Sequence, residues 1–403
     1  MSKAERIKPD LEFIEELQSV GGQDIKKCYQ CATCSVVCPL SPMDNSFPRK
    51  EMAWAQWGLK DKLMGDIDMW LCHKCGQCSD LCPRGAYPGE LMASLRNIAY
   101  RSLVGPQCLG KWMSSAKHLP KLIGIPAILY LLIWLISASI HGTPFPVGHE
   151  GEIEYGLIFP PLWTVDLIFV PLLIFVLYTF YKGIKNLYAE FDKQPRTFVI
   201  GYEKPKNILV SLWQVIKEEV VTHKKWKDCG EEQDDQTKFQ GHLFLFYSFV
   251  ALAIVTALLS ASFWADIFGI WEHSYPMAFF NPLNLLANIG AIGLVVGLVY
   301  LTKRRINDTG RDASTFYDWY LLGIIWVVAI TGILSEVFRL SEAVGLTYIS
   351  YYLHLISVFM LIGYLPWSKL GHFVYRIAAL AYARKIGRIS TEIENNKNKL
   401  YVL

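Results

Sequence analysis

The sequence predicts a mainly α-helical protein that consists of a small helical head and a six-helix transmembrane bundle. The 403-residue chain is 52% hydrophobic and only 19% charged, which is more apolar than an ordinary soluble protein. The apolar residues are concentrated after residue 115, in long runs separated by short charged loops, whereas residues 1–115 are ordinarily polar. We therefore expect a head over residues 1–115 and a membrane body over residues 116–403.

Six apolar runs in the body are long enough to cross a bilayer as helices, which takes about 20 residues. Several contain no charged residue, and soluble cores rarely repeat uncharged runs of this length. The runs are Leu122–Ile140, Leu162–Tyr181, Leu243–Phe263, Leu283–Leu301, Trp319–Val337 and Ile349–Trp367.

A long polar segment of about residues 184–240 separates the second and third runs. Ile208, Leu212, Val215 and Ile216 recur in it at helical spacing. This pattern predicts an amphipathic helix that lies on the membrane or on the head. A solvated loop helix fits the same pattern.

Basic residues predict how the body is oriented. The loops after the first, third and fifth runs contain no Lys or Arg, whereas the opposite side carries many. By the positive-inside rule, both termini and the head are cytoplasmic, and the protein belongs to the inner membrane. The N-terminal stretch MSKAERIKPDLEF lacks the apolar core of a signal peptide, which agrees with a head that is not exported.

Eight of the ten cysteines form two copies of the motif C-x2-C-x2-C-x3-C-P, which begin at Cys28 and Cys72. Disulfides do not persist in a reducing cytoplasm, and zinc ribbons use two cysteines followed by a gap. The motif is typical of bacterial two-cluster ferredoxins, in which the fourth cysteine of each run binds the other cluster. We therefore expect a ferredoxin-like head with two [4Fe–4S] clusters. Cluster 1 is expected on Cys28, Cys31, Cys34 and Cys82, and cluster 2 on Cys72, Cys75, Cys78 and Cys38.

The remaining cysteines, Cys108 and Cys229, stand alone and are expected to be free thiols. No glycine pattern for nucleotide binding and no nucleophile–base constellation is readable, and we expect no nucleic-acid partner. The chain is therefore expected to perform no group-transfer chemistry itself.

Two histidines are expected to bind a haem b at the inner side of the membrane. His242 begins the third run, and His372 follows the sixth run, so both lie at the inner level. Imidazoles from facing helices at one depth form a bis-histidine haem site. Interfacial histidines without a ligand are the alternative, although ionisable groups in membranes are usually functional.

His354 lies 18 residues before His372, which equals five helical turns and about 27 Å along one continuous helix. It would then face the same way at the outer level, unless Pro366 kinks the helix. A second haem b there would need a partner, because Leu252 occupies that depth in the third run. His141 is the first choice, with His149 and His273 as further candidates. Alternatively, His354 hydrogen-bonds a quinone or a backbone carbonyl.

Two carboxylates within the runs are expected near the outer level. Asp166 lies in the second run and Glu336 in the fifth. A quinol that is oxidised must lose two protons, and both carboxylates are candidate acceptors. The alternative is a pair with a neighbour, such as Arg339 one turn from Glu336.

The head resembles the C subunit of heterodisulfide reductase over PRKEMAWAQWGLKDKLMGDIDMWLCHKCGQCSDLCPRGAYPGELMASLRNIA. The body resembles the cytochrome b subunit of respiratory nitrate reductase in LHLISVFMLIGYLPWSKLGH and at His242. It departs from that family in its additional first span and in Leu252, where the family has a second histidine. The combination resembles the membrane subunits of quinone-interacting membrane-bound oxidoreductases.

This resemblance implies an electron-transfer subunit of a multi-subunit quinone oxidoreductase. It implies menaquinol as substrate, two flavin-containing partner subunits like heterodisulfide reductase A, and delivery of electrons to adenylylsulfate reductase in sulfate reduction. Two alternatives remain open: a heterodisulfide-reductase-like thiol/disulfide complex, and a non-redox membrane anchor for a soluble iron–sulfur complex. The number of haems, the side on which quinone binds and the direction of electron flow also remain open.

Overall fold

A computed structural model of the chain describes residues 8–41, 46–148, 151–193, 207–221, 233–270, 279–307 and 316–388. These residues form helices and loops and contain no strand, which confirms the predicted mainly α fold. The head contains a short 3-10 helix at Gln23–Lys27, and another at Ala116–His118 leads into the body. Its α-helices are α1 (Leu11–Ser19), α2 (Thr33–Val36), α3 (Arg49–Gln56), α4 (Lys60–Met64), α5 (Asp68–Leu71), α6 (Gln77–Asp80), α7 (Pro88–Leu103) and α8 (Gln107–Trp112).

The body contains the six predicted membrane helices and two further helices. Its α-helices are α9 (Leu119–His141), α10 (Leu167–Lys193), α11 (Ile208–Val215), α12 (Gln233–Ile267), α13 (Pro282–Asn307), α14 (Phe316–Leu340), α15 (Val344–Gly363) and α16 (Lys369–Lys385). The stretches long and apolar enough to span a membrane are Ala116–His141, Leu162–Lys193, Phe239–Ile267, Pro282–Ile306, Phe316–Leu340 and Val344–Gly363. A multi-pass membrane protein follows.

The six spans are arranged around α14 and α15, which pack against each other. On one side α15 contacts α9 and α10, and on the other α14 contacts α13, which pairs with α12. The α12–α13 pair depends on glycine: a Cβ atom on Gly297 would lie 2.8 Å from the backbone nitrogen of Leu245 and 2.9 Å from the carbonyl oxygen of Gly241. Small residues at such contacts let two helix backbones approach closely in lipid.

The segment before α10 is irregular although it lies beside membrane helices. It includes a 3-10 turn at Tyr155–Leu157 and a π-helical turn at Leu162–Asp166. The hydroxyl of Tyr348 donates to the carbonyls of Pro146 and Glu154, both at 2.9 Å. Such side-chain donors satisfy backbone groups that have no helical partner, as an irregular segment beside lipid requires.

The prediction of one continuous helix from Ile349 past His372 is wrong. The helix α15 ends at Gly363, a 3-10 turn covers Leu365–Trp367, and α16 begins at Lys369. Pro366 has no N–H to donate, and the extended Ser368 starts the new helix by accepting a hydrogen bond from Leu370 N at 3.2 Å. The five-turn argument therefore does not relate His354 to His372. His354 lies near the middle of α15 rather than at its outer end.

The helix α16 joins the head to the body. It contacts α5 and α7 of the head as well as α10 and α14 of the bundle. The helix α11, predicted as amphipathic, also packs on α16, where Val215 and Leu380 form a buried apolar cluster with Leu71 of the head. The predicted segment 184–240 lies partly outside the described residues.

Candidate iron–sulfur and haem sites

Four cysteines from both motifs line one pocket of the head. Three of them follow one another in the first motif, and the fourth comes from the end of the second. They are Cys28, Cys31, Cys34 and Cys82. The pocket contains about 340 Å³ of space, including the part open to solvent. The structure therefore brings together the set expected for cluster 1, and this set crosses between the motifs.

The set expected for cluster 2 is also drawn together. Burial raises the pKa of Cys38 to about 12, and the neighbouring thiols of Cys72 and Cys75 act in the same direction. Burial likewise raises the pKa of Cys78, with further contributions from Cys72 and Cys38. Cys34 of the other set also acts on Cys78, so the two sets are adjacent. Because the bound form of a cysteine ligand is the thiolate, cluster assembly here must release protons.

The two cysteine loops share one backbone conformation. Gln30 and Ala32 in the first loop have φ values of 59° and 71°, and Lys74 and Gly76 at the same motif positions have 55° and 89°. Left-handed residues between the cysteines turn successive side chains toward one centre. The N–H of Lys74 donates to Cys72 Sγ at 3.4 Å, a type of bond that tunes the potential of a cluster.

The spacing of the thiols fits a cluster better than a single zinc ion. A tetrahedral site with Zn–S bonds of about 2.3 Å places the sulfur atoms ~3.8 Å apart. Within the described ranges, the one group of three metal-binding side chains with donor atoms within 4.8 Å of one another is acidic and contains no cysteine. The cysteines described here are therefore not gathered as closely as a tetrahedral zinc site requires.

That acidic group is a buried ion network that the sequence reasoning missed. Glu51, Asp66 and Asp68 surround Lys50, whose Nζ lies 3.1, 3.2 and 3.0 Å from their oxygens. Arg388, just beyond α16, adds a contact of 2.8 Å to Asp68. No short motif signals this network, because Asp66 and Asp68 follow Lys50 by 16 and 18 positions and Arg388 lies 320 positions beyond Asp68. It ties the membrane body to the cluster head.

Glu51 gives this network a pH dependence. Burial raises the pKa of Glu51 well above its ordinary 4.5, and the neighbouring Asp66 adds to the rise while Lys50 opposes it. The folded head therefore keeps a proton that the unfolded chain releases. A raised carboxyl pKa contributes stability that is present below the ordinary pKa and is lost as pH rises through the folded pKa.

As the pH rises from about 5 to about 8, the Glu51→Gln variant is therefore expected to lose less stability than the wild type. The glutamine keeps the shape of the protonated acid but has no proton to release. The measurement is the thermal midpoint of cluster absorbance for both proteins at several pH values. Parallel curves would show that Glu51 does not carry the proton.

The candidate haem ligand His372 lies against the cluster 2 segment. Its ring stacks on that of Trp70, with centroids 6.1 Å apart and planes at 22°. Trp70 is fully buried and lies two residues before Cys72. Burial lowers the pKa of His372 well below its ordinary value, and the charges of Arg96 and Arg376 lower it further. A neutral imidazole is the form that binds a metal.

A hydrogen bond also joins α16 to the cluster 2 segment. The guanidinium of Arg376, one turn after His372, donates to Nδ1 of His73 at 2.6 Å. The other expected haem ligand, His242, follows Gly241 in α12, and α12 packs chiefly on α13. Their pairing around one haem stays a prediction.

His354 is oriented by a neighbouring helix. Its Nδ1 lies 3.1 Å from both the carbonyl of Val328 and the hydroxyl of Thr331 in α14. A Cβ atom on Gly332 would lie 3.1 Å from the ring, so glycine permits this close approach. If Nδ1–H donates to the carbonyl, Nε2 keeps its lone pair for a metal or for a hydrogen bond from a quinol.

The structure does not bring His141 to His354. The hydroxyl of Tyr352, two residues before His354, donates to the carbonyl of Ala127 at 2.8 Å. His141 lies 14 residues beyond Ala127 at the exposed end of α9, a rise of about 21 Å. The further candidates His149 and His273 lie outside the described residues.

The two candidate proton acceptors have different surroundings. Asp166 is buried in the π-helical turn before α10. Glu336 accepts a hydrogen bond from Asn288 at 3.4 Å. Among the described residues it forms no ion pair with Arg339, and the nearby hydroxyl of Tyr155 donates to the carbonyl of Ser335 at 2.7 Å.

Fold and site together define a class of protein: a multi-pass membrane protein with an iron–sulfur head. The family model "4Fe-4S dicluster domain" matches residues 24–86, which confirms the expectation of iron–sulfur clusters. These residues contain all eight motif cysteines.

Known proteins similar to this chain include parts of heterodisulfide reductases. It is 28% identical over 141 residues to the E subunit of dihydromethanophenazine:CoB–CoM heterodisulfide reductase from Methanosarcina acetivorans, which covers 33% of this chain and 53% of the relative. It is 34% identical over 61 residues to the C subunit of H(2):CoB-CoM heterodisulfide,ferredoxin reductase from Methanothermobacter marburgensis, covering 15% and 33%. It is 29% identical over 159 residues to "Citrate utilization protein B" of Escherichia coli, covering 38% and 40%.

The chain spans about half the length of the Methanosarcina relatives that it matches, 53% in one and 54% in another. No solved structure matches the chain. The resemblance to heterodisulfide reductase subunits is confirmed, and these relatives support a membrane iron–sulfur electron-transfer subunit of a redox complex.

Proposed function

We propose that this chain is the membrane subunit of a quinone-linked oxidoreductase that oxidises menaquinol. Electrons pass from a haem b held by His242 and His372 to the two clusters and then to flavin-containing partner subunits like heterodisulfide reductase A. The final acceptor is adenylylsulfate reductase in sulfate respiration. The name of the Methanosarcina relatives, in which dihydromethanophenazine stands as donor, supports a reduced carrier as the source of electrons. The sequence resemblance supports the choice of menaquinol.

The contact between Trp70 and His372 is the observation that carries this proposal. The two rings stack at 6.1 Å, and Trp70 is two residues from Cys72 of the cluster 2 set. A ligand of the body and a ligand of the head are thus separated by one buried aromatic side chain. This arrangement supports the electron order His372 site, cluster 2, cluster 1.

The side chains of the body are suited to hold a haem, to bind a quinol and to accept its protons. A haem b between His242 and His372 would supply a one-electron acceptor at the cytoplasmic end of the bundle. His354 is held by α14 so that Nε2 can accept a hydrogen bond from a quinol hydroxyl. Asp166 and Glu336 can take up the released protons. We propose the inner membrane as the location, with the head and both termini in the cytoplasm.

The second candidate function is a thiol/disulfide oxidoreductase complex like heterodisulfide reductase. The relatives favour it, because the names of two of them contain the CoB–CoM heterodisulfide. The motif cysteines of this chain are all used by the two expected clusters. The catalytic cluster would therefore have to come from a partner protein.

Reduced-minus-oxidised visible spectra of the purified chain, with a pyridine-haemochrome count, test the proposed function. We expect b-type haem, and we expect His372→Ala to remove the haem that His242 also binds. His141→Ala is the matched control and is expected to keep the full haem content. If two haems are present, His354→Ala should remove the second. A chain without haem would overturn the proposal and leave the membrane-anchor alternative.

A further inference from the structure

We propose that the open side of the cluster 1 pocket is a docking surface for a soluble redox protein with an acidic rim around its cofactor. The proposal rests on the proposed function in one respect, the use of the head as an electron exit. It identifies which cluster meets the partner and which residues the partner contacts. The surface consists of Tyr29, Val36, Leu81, Arg49 and Arg84.

The two cysteine sets differ in what covers them. Around cluster 2, Arg96 binds the carbonyl of Cys72 at 3.0 Å, and Arg388 from beyond α16 binds the carbonyl of Leu40 at 3.4 Å. Around cluster 1, every lining residue that the structure describes comes from positions 28–88, so the described part of the membrane body contributes none. Cys31 of this set is exposed. Cluster 1 is thus the set that a soluble protein can approach.

Three apolar side chains stand exposed beside the cluster 1 cysteines. Tyr29 is 69% exposed and follows Cys28, Val36 is 83% exposed and follows Cys34 by two residues, and Leu81 is 56% exposed and precedes Cys82. Tyr29 lines the pocket itself, and Val36 and Leu81 stand within two residues of the lining cysteines Cys34 and Cys82. Exposed apolar residues that cluster on a soluble surface mark an interaction site.

The charge of the pocket indicates the chemistry of the occupant. Among the residues that the structure describes, its lining includes two arginines, Arg49 and Arg84, and no acidic residue. The guanidinium of Arg84 lies 4.1 Å from the centre of the Tyr29 ring, and this contact holds both side chains in one arrangement. Tyrosine and arginine are enriched at interface hot spots, and a positive patch selects a negative one. A soluble protein with acidic residues fits this surface, whereas a neutral apolar partner would leave the arginines buried and unpaired.

The step itself is an electron transfer without atom transfer. In the proposed direction, one electron leaves the cluster 1 site and enters the partner's cofactor, and no bond is formed or broken. The reverse step uses the same contact surface. Docking can therefore be tested with a reduced donor as well as with an oxidised acceptor.

The test uses the full detergent-solubilised chain and an acidic flavodoxin as probe. Binding of the oxidised flavodoxin is measured by calorimetry at low and high salt, and electron transfer from the reduced flavodoxin by stopped flow. We expect Arg84→Glu and Val36→Glu each to weaken binding by about tenfold or more. Leu11→Glu is the matched control, because Leu11 is 70% exposed in α1 of the same head, outside both cysteine motifs. It should bind like the wild type.

Two results would overturn the docking surface. One is equal binding of all variants, or no saturable binding at any salt concentration. The other is an Arg84→Glu variant that binds normally and changes only the midpoint potential of the cluster, because the arginines would then only offset the cluster's charge. The experiment uses neither haem nor quinol, so a failure of the proposed quinol oxidation would leave its result readable.

Discussion

Replacement of Lys50 by methionine is expected to lower the stability of the head by about 3–5 kcal/mol, the cost of removing one partner from a buried ion pair. Burial alone would lower the pKa of Lys50, but Asp66, Glu51 and Asp68 hold it above its ordinary value. Methionine keeps the side-chain length and leaves the buried carboxylates of Asp66 and Asp68, beside the protonated Glu51, with Arg388 as the remaining cation. Urea titration of the purified chain, followed by cluster absorbance, measures the loss.

The same substitution at Lys60 is the control. Lys60 is 39% exposed and lies 4.0 Å from Asp10, so its ion pair is worth at most about 1 kcal/mol. Equal effects of Lys50→Met and Lys60→Met would contradict the role assigned to the buried network. A Lys50→Arg variant should retain most of the stability, because the charge remains.

Replacement of Gly297 by alanine is expected to destabilise the α12–α13 pair by about 1–3 kcal/mol, the usual cost of overpacking. The new Cβ atom would meet two backbone atoms at 2.8 and 2.9 Å, and a backbone cannot swing aside as a flexible side chain can. One of them is the carbonyl oxygen of Gly241, the residue before His242. Haem content is therefore expected to fall together with the thermal midpoint of the detergent-solubilised protein.

Gly323 in α14 provides the matched control. A Cβ atom there meets no atom within 4 Å. Alanine is the better helix former, so Gly323→Ala is expected to leave the thermal midpoint unchanged or to raise it slightly. If Gly297→Ala behaved like Gly323→Ala, the close contact between α12 and α13 would be refuted.

The parts of this molecule that the sequence predicts are those encoded locally. Each membrane helix is predicted by its own apolar run, and the iron–sulfur head by two motifs of twelve residues each. The crossed cysteine sets were expected because the motif itself, with its proline after the fourth cysteine, is typical of two-cluster ferredoxins. The structure places the cysteines of each set near one another, and their ligation of two clusters stays a prediction.

Sequence reasoning missed features that depend on contacts between distant segments. It also missed the local break at which α15 ends and α16 begins. Pro366 marked a kink, but only the cap by Ser368 shows that α16 is a separate helix. The sequence does not tell which part of α9 lies beside His354. Only the packing of α9 on α15 shows that this part is near Ala127 and that His141 lies far along the helix from it. The stacking of Trp70 on His372 joins residues about 300 positions apart, and no local pattern announces it.

The separation of α16 from α15 also has a consequence for biosynthesis. The head is made first, but the helix that covers its cluster 2 side follows all six spans, and Arg388 binds Asp68 across 320 positions. At about 5–20 residues per second, ribosomes take roughly 15–60 s to make the intervening chain. During that interval the head lacks the contacts that α16 and Arg388 provide. The cluster 2 side of the head is therefore completed only after the last span has been made.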